Sequence, residues 1–195
     1  MQIKQELSPL LTSDMSVPTL TLDPSNIHAI MINEVVPMDP RQDFYGEIGD
    51  EYLSTTIPLF QNAGAHVETI EDILDLGIYI TNAIKIPKLT TTVSKQDIER
   101  SLPILEKELS LFPNVKVIML MGDVAKKAYN TITKSQSKKA VIPSISTYKL
   151  RDTSFYYKDI RIIPSYIMTG KNILIEKSKV QMASEDIAKM LDIIS

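Results

Sequence analysis

A short and almost continuous apolar run at residues 27–32 constrains the fold of this chain most strongly. Only His28 interrupts it, and such runs are typical of strands buried on both faces of a parallel sheet. The run ends abruptly at two polar residues, Asn33 and Glu34. Open α/β sheets bind their ligands in the crevice beyond the carboxyl ends of the strands. We therefore expect Asn33 and Glu34 to form the floor of a binding site.

Further apolar runs follow along the chain and alternate with amphipathic segments. The strand-like segments are residues 76–86, 115–121 and 156–164, with a weaker one at residues 141–148. The segments with helical periodicity are residues 49–63, 67–76, 94–111 and 174–194, and another that begins at Val124. Strands that alternate with helices predict a parallel sheet covered by helices on both faces. We therefore expect an α/β fold, a three-layer α/β/α sandwich around a central, mostly parallel, four-stranded sheet.

The boundaries of these segments lead to further expectations. Asp123 is expected to be the N-cap of the helix after the third apolar run, because Asp accepts hydrogen bonds from free helix amides. Residues 131–139 are polar and basic and are expected to form a loop. Residues 1–25 are rich in Pro, Ser and Thr and predict an amino-terminal arm. Residues 26–195 are then long enough to form a single domain.

Composition excludes several kinds of site. The chain has no cysteine, which excludes disulfides, thiolate metal sites, iron–sulfur clusters and cysteine nucleophiles. Its two histidines lack metal-ligand spacing, so we expect neither a metal nor a cofactor. The net charge of −3 argues against a uniformly basic nucleic-acid coat. With no run of about 18 apolar residues and no signal-peptide pattern at the amino terminus, we expect no membrane partner and a cytoplasmic location.

Polar and aromatic residues near the strand ends are candidates for chemistry, each with a simpler alternative. The Glu34 carboxylate can act as a general base, or it can accept hydrogen bonds from loop amides, as can its neighbour Asn33. Asn82 interrupts the second apolar run; its amide can bond neighbouring strand ends or face a matching ligand edge. Phe44 and Tyr45 can stack on a planar ligand or belong to the core. The residues alone leave these alternatives open.

Four short stretches, in order along the chain, resemble motifs of one known family. Tyr-Ile-Thr-Asn at 79–82, followed by Ala-Ile-Lys and Pro87, is similar to the strand whose Asn reads uracil in the thermostable branch of the uracil-DNA glycosylase superfamily. Residues 115–129 resemble that branch's next strand, Gly turn and Ala-rich helix. Asn-Glu-Val-Val-Pro at 33–37 occupies the place of its Gly-Glu-Ala-Pro-Gly water-activating motif. Pro-Ser-Tyr-Ile-Met at 164–168 resembles its Pro-Thr-Tyr-His-Pro loop, which enters the DNA minor groove.

The resemblance implies a DNA glycosylase that extrudes a base from DNA, single-stranded or damaged DNA included, and hydrolyses its N-glycosidic bond. Asn82 would pair with the N3–H and O4 of uracil, while Phe44 or Tyr45 would stack on the base. Glu34 and Asn33 are the catalytic candidates, and Glu34 would position or deprotonate the attacking water. The residues expected to hold backbone phosphates are Ser165, Lys171 and Asn172.

Departures from the family pattern change the activity that the resemblance implies. Ile167 occupies the place of the histidine that stabilises the departing base anion, and Met168 replaces the proline after it. The cysteines of that branch's iron–sulfur cluster are missing as well. Loss of one such donor costs on the order of a hundredfold to a thousandfold in rate, which implies a slow enzyme or one that uses Tyr166 instead. The alternative is a non-catalytic relative that binds nucleic acid, a free base or a nucleotide without turnover.

Overall fold

One five-stranded sheet organises the chain in the computed structural model. The structure describes residues 1–170, 173 and 176–195, with the backbone alone at Asp50 and Glu51. The strands are β1 (Ala29–Val35), β2 (Ile78–Ile84), β3 (Val117–Met121), β4 (Phe155–Tyr157) and β5 (Ile160–Ser165). Their order in the sheet is β2-β1-β3-β5-β4, so β1 lies between β2 and β3.

The sheet is mostly parallel, as expected. β1 pairs in parallel with β2 and β3, and β3 pairs in parallel with β5, whereas β4 is antiparallel to β5. The expected number of four strands is wrong, because the segment at residues 156–164 takes part in two strands. A turn at Lys158 and Asp159, with Lys158 at a φ of 53°, folds β4 back onto β5. The sheet therefore has a short antiparallel strand at one edge.

Helices cover both faces of the sheet. The described helices are α1 (Ile3–Leu7), α2 (Asp50–Asn62), α3 (Ile70–Asp75), α4 (Lys95–Leu109), α5 (Asp123–Ser137), α6 (Thr147–Leu150) and α7 (Lys177–Ile194). One-turn 3-10 helices lie at Ser8–Leu10, Pro24–Asn26 and Pro40–Gln42. The start expected for the last helix, residue 174, lies outside the described residues. None of the described helices is both long enough and apolar enough to cross a membrane.

Two apolar cores separate these helices into layers. One core joins the sheet to α1, α4, α5 and α6, and the other joins it to α2, α3 and α7. In β1, Ile30 and Ile32 belong to the first core, whereas Ala29 and Met31 belong to the second. This alternation follows from the period of two in a strand. The three-layer α/β/α architecture is thus confirmed.

Two further local predictions are wrong. The loop expected at residues 131–139 is helical as far as Ser137, because Ile132 and Thr133 continue the buried face of α5. The weak strand expected at residues 141–148 is irregular chain that leads into α6. The first prediction rested on polar composition and the second on the strand propensity of β-branched residues. In both places tertiary packing determines the structure instead.

Residues 1–25 pack beside β2, which is an edge strand of the sheet. Ile3 and Leu7 of α1 are fully buried in the core under α4. The amino group of Met1 donates to the carbonyl oxygen of Leu22 at 2.8 Å. The amide of Ser16 donates to the carbonyl oxygen just after β2 at 2.8 Å. This segment therefore adds its own apolar side chains to the core.

The end of β1 extends further than the sequence indicates. The apolar run stops at Ile32, but the strand continues through Val35, because Asn33 pairs with Asn82 and Val35 pairs with Ile84 in the parallel ladder. The two polar residues expected after the strand therefore lie within it, just before its last residue, Val35. Successive residues point to opposite faces, so Asn33 lies on the α2–α7 side and Glu34 on the α4–α5 side.

Candidate functional site at the carboxyl ends of the strands

A cavity of about 360 Å³ lies at the carboxyl ends of β1 and β2. Its walls come from the strand ends, the loop after β1, α2 and the loop after β5. The lining includes Asn33, Glu34, Tyr52, Asn82, Lys88, Ile167 and Thr169. The structure thus brings the carboxylate of β1 and the amide of β2 to the same cavity. This volume lies within the usual range for pockets that hold small ligands.

Glu34 is held at the amino terminus of α5. Its Oε1 accepts a hydrogen bond from the backbone amide of Val124 at 3.0 Å. Gly122 allows this close approach, because a Cβ at this position, where φ is 99°, would collide with Glu34 Oε1. Gly122 is also the N-cap of α5, so the expectation that Asp123 caps this helix is wrong.

The surroundings of Glu34 shift its protonation. Burial raises the pKa of the Glu34 carboxyl above its usual value of 4.5, and the hydrogen bond from Val124 opposes this rise. The carboxylate therefore both stabilises the free amides of α5 and lines the cavity. Glu34 thus accepts a hydrogen bond from a backbone amide, which is one of the two alternatives that the sequence leaves open, and it also lines the cavity.

Asn82 is oriented by Asp43, a residue that the sequence analysis did not select. Asn82 Nδ2 donates to both carboxylate oxygens of Asp43, at 2.9 and 3.1 Å. The same carboxylate accepts from the amide of Phe44 at 2.8 Å and from the hydroxyl of Tyr52 at 3.4 Å. A carboxylate only accepts hydrogen bonds, so the amide nitrogen of Asn82 must face Asp43. The amide oxygen then points away from Asp43.

Two buried amide oxygens belong to residues that line this cavity. Asn33 and Asn82 are register partners on adjacent strands, and their side chains are only 4% and 3% exposed. Neither Oδ1 atom has a hydrogen-bonding partner among the residues that the structure describes. We call these two oxygens the acceptor pair. Buried polar groups are normally bonded, so the acceptor pair is an exception among the buried polar side chains that the structure describes.

The aromatic residues near the cavity differ from those that the sequence indicates. Phe44 is 2% exposed, and its ring packs edge-on against Tyr45 and Tyr52, with centroids 5.0 and 4.9 Å away. The Tyr45 hydroxyl accepts a hydrogen bond from the amide of Ile80 at 3.0 Å. Tyr52 is the aromatic residue that lines the cavity among those described. Tyr52 lies in α2, in the segment where the sequence predicts a helix.

The loop after β5 lines a second cavity of about 680 Å³. Ser165 and Tyr166 belong to it, and Glu34, Ile167 and Thr169 line both cavities. The two cavities are therefore neighbours that share a wall. Lys171 and Asn172, the other residues expected to contact phosphates, lie outside the described residues.

Ser165 and Tyr166 both make contacts within the protein. Ser165 is fully buried, and its hydroxyl donates to Asp186 at 2.7 Å. Arg151 pairs with the same Asp186 carboxylate at 2.9 Å. The Tyr166 hydroxyl lies 3.5 Å from the sulfur of Met182, and burial raises the pKa of this hydroxyl. These contacts fix the start of the loop, while Ile167, 44% exposed, reaches the cavities.

The comparison with known families agrees with this geometry. A sequence model described as the uracil DNA glycosylase superfamily matches residues 38–173, which is more than half of the chain. The chain belongs to the uracil DNA glycosylase superfamily. The resemblance to this superfamily is therefore confirmed, and so is the α/β fold that it implies. A search of curated proteins finds no match.

The superfamily match covers some parts of the site and not others. It includes Asp43, Asn82 and Ile167, but it begins after Asn33 and Glu34. The place of these two residues in the site therefore depends on the cavity geometry and on the motif resemblance. Fold and family do not by themselves fix an activity.

Proposed function

We propose that this chain is a DNA glycosylase that holds a flipped nucleobase in the cavity of about 360 Å³ and hydrolyses its N-glycosidic bond. The observation that carries the proposal is the convergence of Glu34 and Asn82 on that cavity, from two different strands. A base within DNA must leave the stack before an enzyme can reach it. A pocket beside the strand ends, with a carboxylate and an amide in its wall, suits such a base.

In the proposed reaction, Glu34 acts on the water. The water oxygen attacks C1′ of the sugar, the C1′–N bond breaks, and its electron pair leaves with the base, while Glu34 accepts the proton of the water. Burial raises the pKa of Glu34 towards the working range of a general base. An ionised Glu34 would also stabilise the positive charge that develops on the sugar.

The departing base carries a negative charge that must be stabilised. The side chain of Ile167 has no hydrogen-bond donor and cannot do this. The hydroxyl of Tyr166 is directed at Met182, so Tyr166 is a poor substitute in this conformation. Lys88 lines the same cavity as Glu34 and Asn82, and we assign the compensation of charge to its ammonium group. The ammonium group of an exposed lysine is a weaker stabiliser of charge than a preorganised donor, which is consistent with a slow enzyme.

DNA binding is supported by a third cavity beside the site. This groove of about 630 Å³ runs along α5, is lined by Lys126, Lys127 and Lys134, and shares Asp123 with the second cavity. Lys126 is paired with Asp123 at 2.7 Å, which leaves Lys127 and Lys134 to meet phosphates. Such contacts position nucleic acid without reading its sequence. Contacts of Lys171 and Asn172 with phosphates remain part of the proposal.

A second candidate function is base binding without turnover. Ile167 favours it, because this residue brings no donor to the cavity, and so does the use of Glu34 Oε1 as a cap for α5. The two functions share the binding step and differ in the hydrolytic step.

An excision assay separates the two functions. Oligonucleotides with one central uracil, hypoxanthine, xanthine or guanine are incubated with the protein, and abasic sites are detected by alkaline cleavage. We expect product from at least one of them, and Glu34→Ala is expected to lower its rate about a hundredfold or more. Glu99→Ala, an exposed residue of α4, serves as the matched control. Product formation that Glu34→Ala leaves unchanged refutes the assigned mechanism, and binding without product supports the non-catalytic function.

A further inference from the structure

The exposed aromatic side chains line cavities outside the one assigned to the base. The chain has eight tyrosines, four phenylalanines and no tryptophan, and among these only Tyr148 and Tyr156 are exposed, at 71% and 61%. Tyr148 lines the second cavity, and Tyr156 lines a fourth cavity of about 650 Å³ beside β4. Proteins that bind single-stranded nucleic acid stack its bases on aromatic rings of this kind.

Tyr156 is positioned by the neighbouring strand. It is the register partner of Arg161 in the antiparallel pair of β4 and β5, and the Arg161 guanidinium lies over its ring, 5.4 Å from the centroid. Arg161 also donates to the carbonyl oxygen of Phe155 at 3.3 Å. The cation–π contact holds one face of the ring, and the exposure of Tyr156 leaves room for a base on the other face.

Tyr148 belongs to a short helix that two side chains fix. Lys126 in α5 donates to the hydroxyl of Thr147 in α6 at 3.1 Å. Arg151, directly after α6, pairs with Asp186 at 2.9 Å and with Glu185 at 2.7 Å, both in α7. Because α6 is tied in this way to α5 and α7, the exposed Tyr148 has a fixed backbone.

Lysines line the surface between the two tyrosines. The groove along α5 adjoins the second cavity at Asp123 and Ser146, and it adjoins the fourth cavity at Ala140. The groove and the fourth cavity together are lined by five lysines and by one acidic residue, Asp123, which already pairs with Lys126. These lysines are Lys126, Lys127, Lys134, Lys139 and Lys158. The whole chain has a net charge of −3, so the excess of cations is local and favours a polyanionic partner.

We propose that this surface binds single-stranded DNA that continues from the base cavity. We call it the tyrosine–lysine track: Tyr148 and Tyr156 stack on bases, and Lys127, Lys134 and Lys139 between them contact phosphates. The inference rests on the proposed DNA-binding function and adds to it the form of DNA that the protein takes. In a duplex the faces of the bases are covered by their stacked neighbours, whereas a single strand leaves them free to stack on exposed rings.

The first test compares the affinity of a single strand with that of a duplex of the same length and sequence. Neither contains uracil or a damaged base, and the dissociation constants are measured by fluorescence anisotropy, so the result does not depend on excision. We expect the single strand to bind about tenfold or more tightly than the duplex, because stacking of each base contributes about 1–3 kcal/mol.

Substitutions of the two tyrosines locate the effect. Tyr148→Leu and Tyr156→Leu each remove a ring and are expected to weaken single-strand binding about fivefold or more. Tyr148→Phe and Tyr156→Phe keep the ring and are the matched controls, expected to retain the affinity. Circular dichroism establishes that each variant is folded, and either position remains informative if a variant at the other does not fold.

Salt dependence tests the phosphate contacts of the track. For a single strand, each neutralised phosphate contributes about 0.7 to the steepness with which the logarithm of affinity falls against the logarithm of salt concentration. Lys139→Gln is expected to reduce this slope by about 0.7. Lys4→Gln is the matched control, because Lys4 is an exposed residue of α1, beside β2 at the opposite edge of the sheet from β4.

The outcomes distinguish this inference from the function on which it rests. Duplex binding as tight as single-strand binding overturns the inference, and so does single-strand affinity that the folded Tyr148→Leu and Tyr156→Leu variants keep in full. Either result leaves the glycosylase proposal to the excision assay. Single-strand binding that depends on the two rings, together with no excision product from any substrate, supports the track and refutes the hydrolytic step.

Discussion

The two faces of β2 differ in how fully their buried polar groups are hydrogen-bonded. On the α4 side, Lys85 and Glu108 form an ion pair in which both side chains are at most 1% exposed. Tyr79 donates to Glu108 at 2.6 Å and Thr81 donates to it at 2.8 Å, while Lys85 donates to Thr81 at 2.9 Å. On the α2 side, Asn82 is bonded to Asp43 through its nitrogen alone, and its oxygen belongs to the acceptor pair.

This difference separates a structural cluster from a candidate site. The donors and acceptors around Glu108 match one another, so the protein itself completes that cluster. The acceptor pair has no donor within the described chain, and the two residues that carry it line a cavity. The polar side chains on both faces are buried. The two groups differ in whether each donor and acceptor has a hydrogen-bonding partner. Four substitutions test whether the energetic roles of the two faces differ as their bonding does.

The largest effect is expected on the completed face. Lys85→Met leaves the Glu108 carboxylate buried without its cation, and loss of one partner of a buried ion pair costs about 3–5 kcal/mol in the free energy of unfolding. Urea denaturation measures this loss. Lys95→Met is the matched control, because Lys95 pairs with Glu99 at 3.5 Å on the exposed surface, where ion pairs contribute little. A loss no larger than that of the control would show that the buried pair is not an energetic unit.

A smaller effect, of opposite sign at two neighbouring positions, is expected on the other face. Asn82→Leu deprives Asp43 of a donor and should lower the free energy of unfolding by about 1–3 kcal/mol. Asn33→Leu removes a buried acceptor and should leave this free energy unchanged or raise it by about 1 kcal/mol. Both are measured by urea denaturation of the protein without ligand. Equal destabilisation by the two substitutions would mean that Asn33 has a structural partner of its own.

The smallest effect concerns Glu34, at the boundary of the two faces. The pKa of Glu34 is raised in the folded protein, so ionised Glu34 is less favourable in the folded protein than in the unfolded chain. This lowers the free energy of unfolding in full at every pH above the pKa of the folded protein. Glu34→Gln should therefore be more stable than the unmodified chain at neutral pH. This gain should disappear as the pH falls below the usual value of 4.5, where both states are protonated.

Urea denaturation at neutral pH and at about pH 4 follows this gain. Glu99→Gln, at an exposed position, corrects for the general effect of surface charge. A difference between Glu34→Gln and the unmodified chain that does not change with pH would rule out the influence of burial on Glu34.

The layers of the fold could be predicted from the sequence because burial leaves a local pattern. The run at residues 27–32 and those that follow it are apolar over the length of a strand, and amphipathic helices separate them. The edge strand β4 could not be predicted in this way. Its Tyr156 is 61% exposed, and the break at Lys158 has no Gly or Asn to signal a turn.

The candidate site could be predicted in part. Asn33, Glu34 and Asn82 interrupt or end apolar runs, which is a signal that a single sequence carries. Asp43 and Asn82 are 39 residues apart, and no periodicity links a loop carboxylate to a strand amide over that distance. Because Asp43 could not be linked to Asn82, the sequence analysis assigns the amide nitrogen of Asn82 to ligand binding. In the folded protein this nitrogen donates to Asp43. The motif resemblance thus pointed to a residue that lines the cavity, with an incomplete account of its hydrogen bonds.

The pleat of β1 has a consequence for how this protein can change over evolution. Adjacent residues at its end serve different layers: an amide for one, a carboxylate for the other. Inserting or deleting one residue upstream would exchange their faces, so that a charge would meet Asp43 and an amide would meet α5. The register of this strand is therefore as constrained as the identity of its residues. Variation in ligand preference has to come from the surrounding loops.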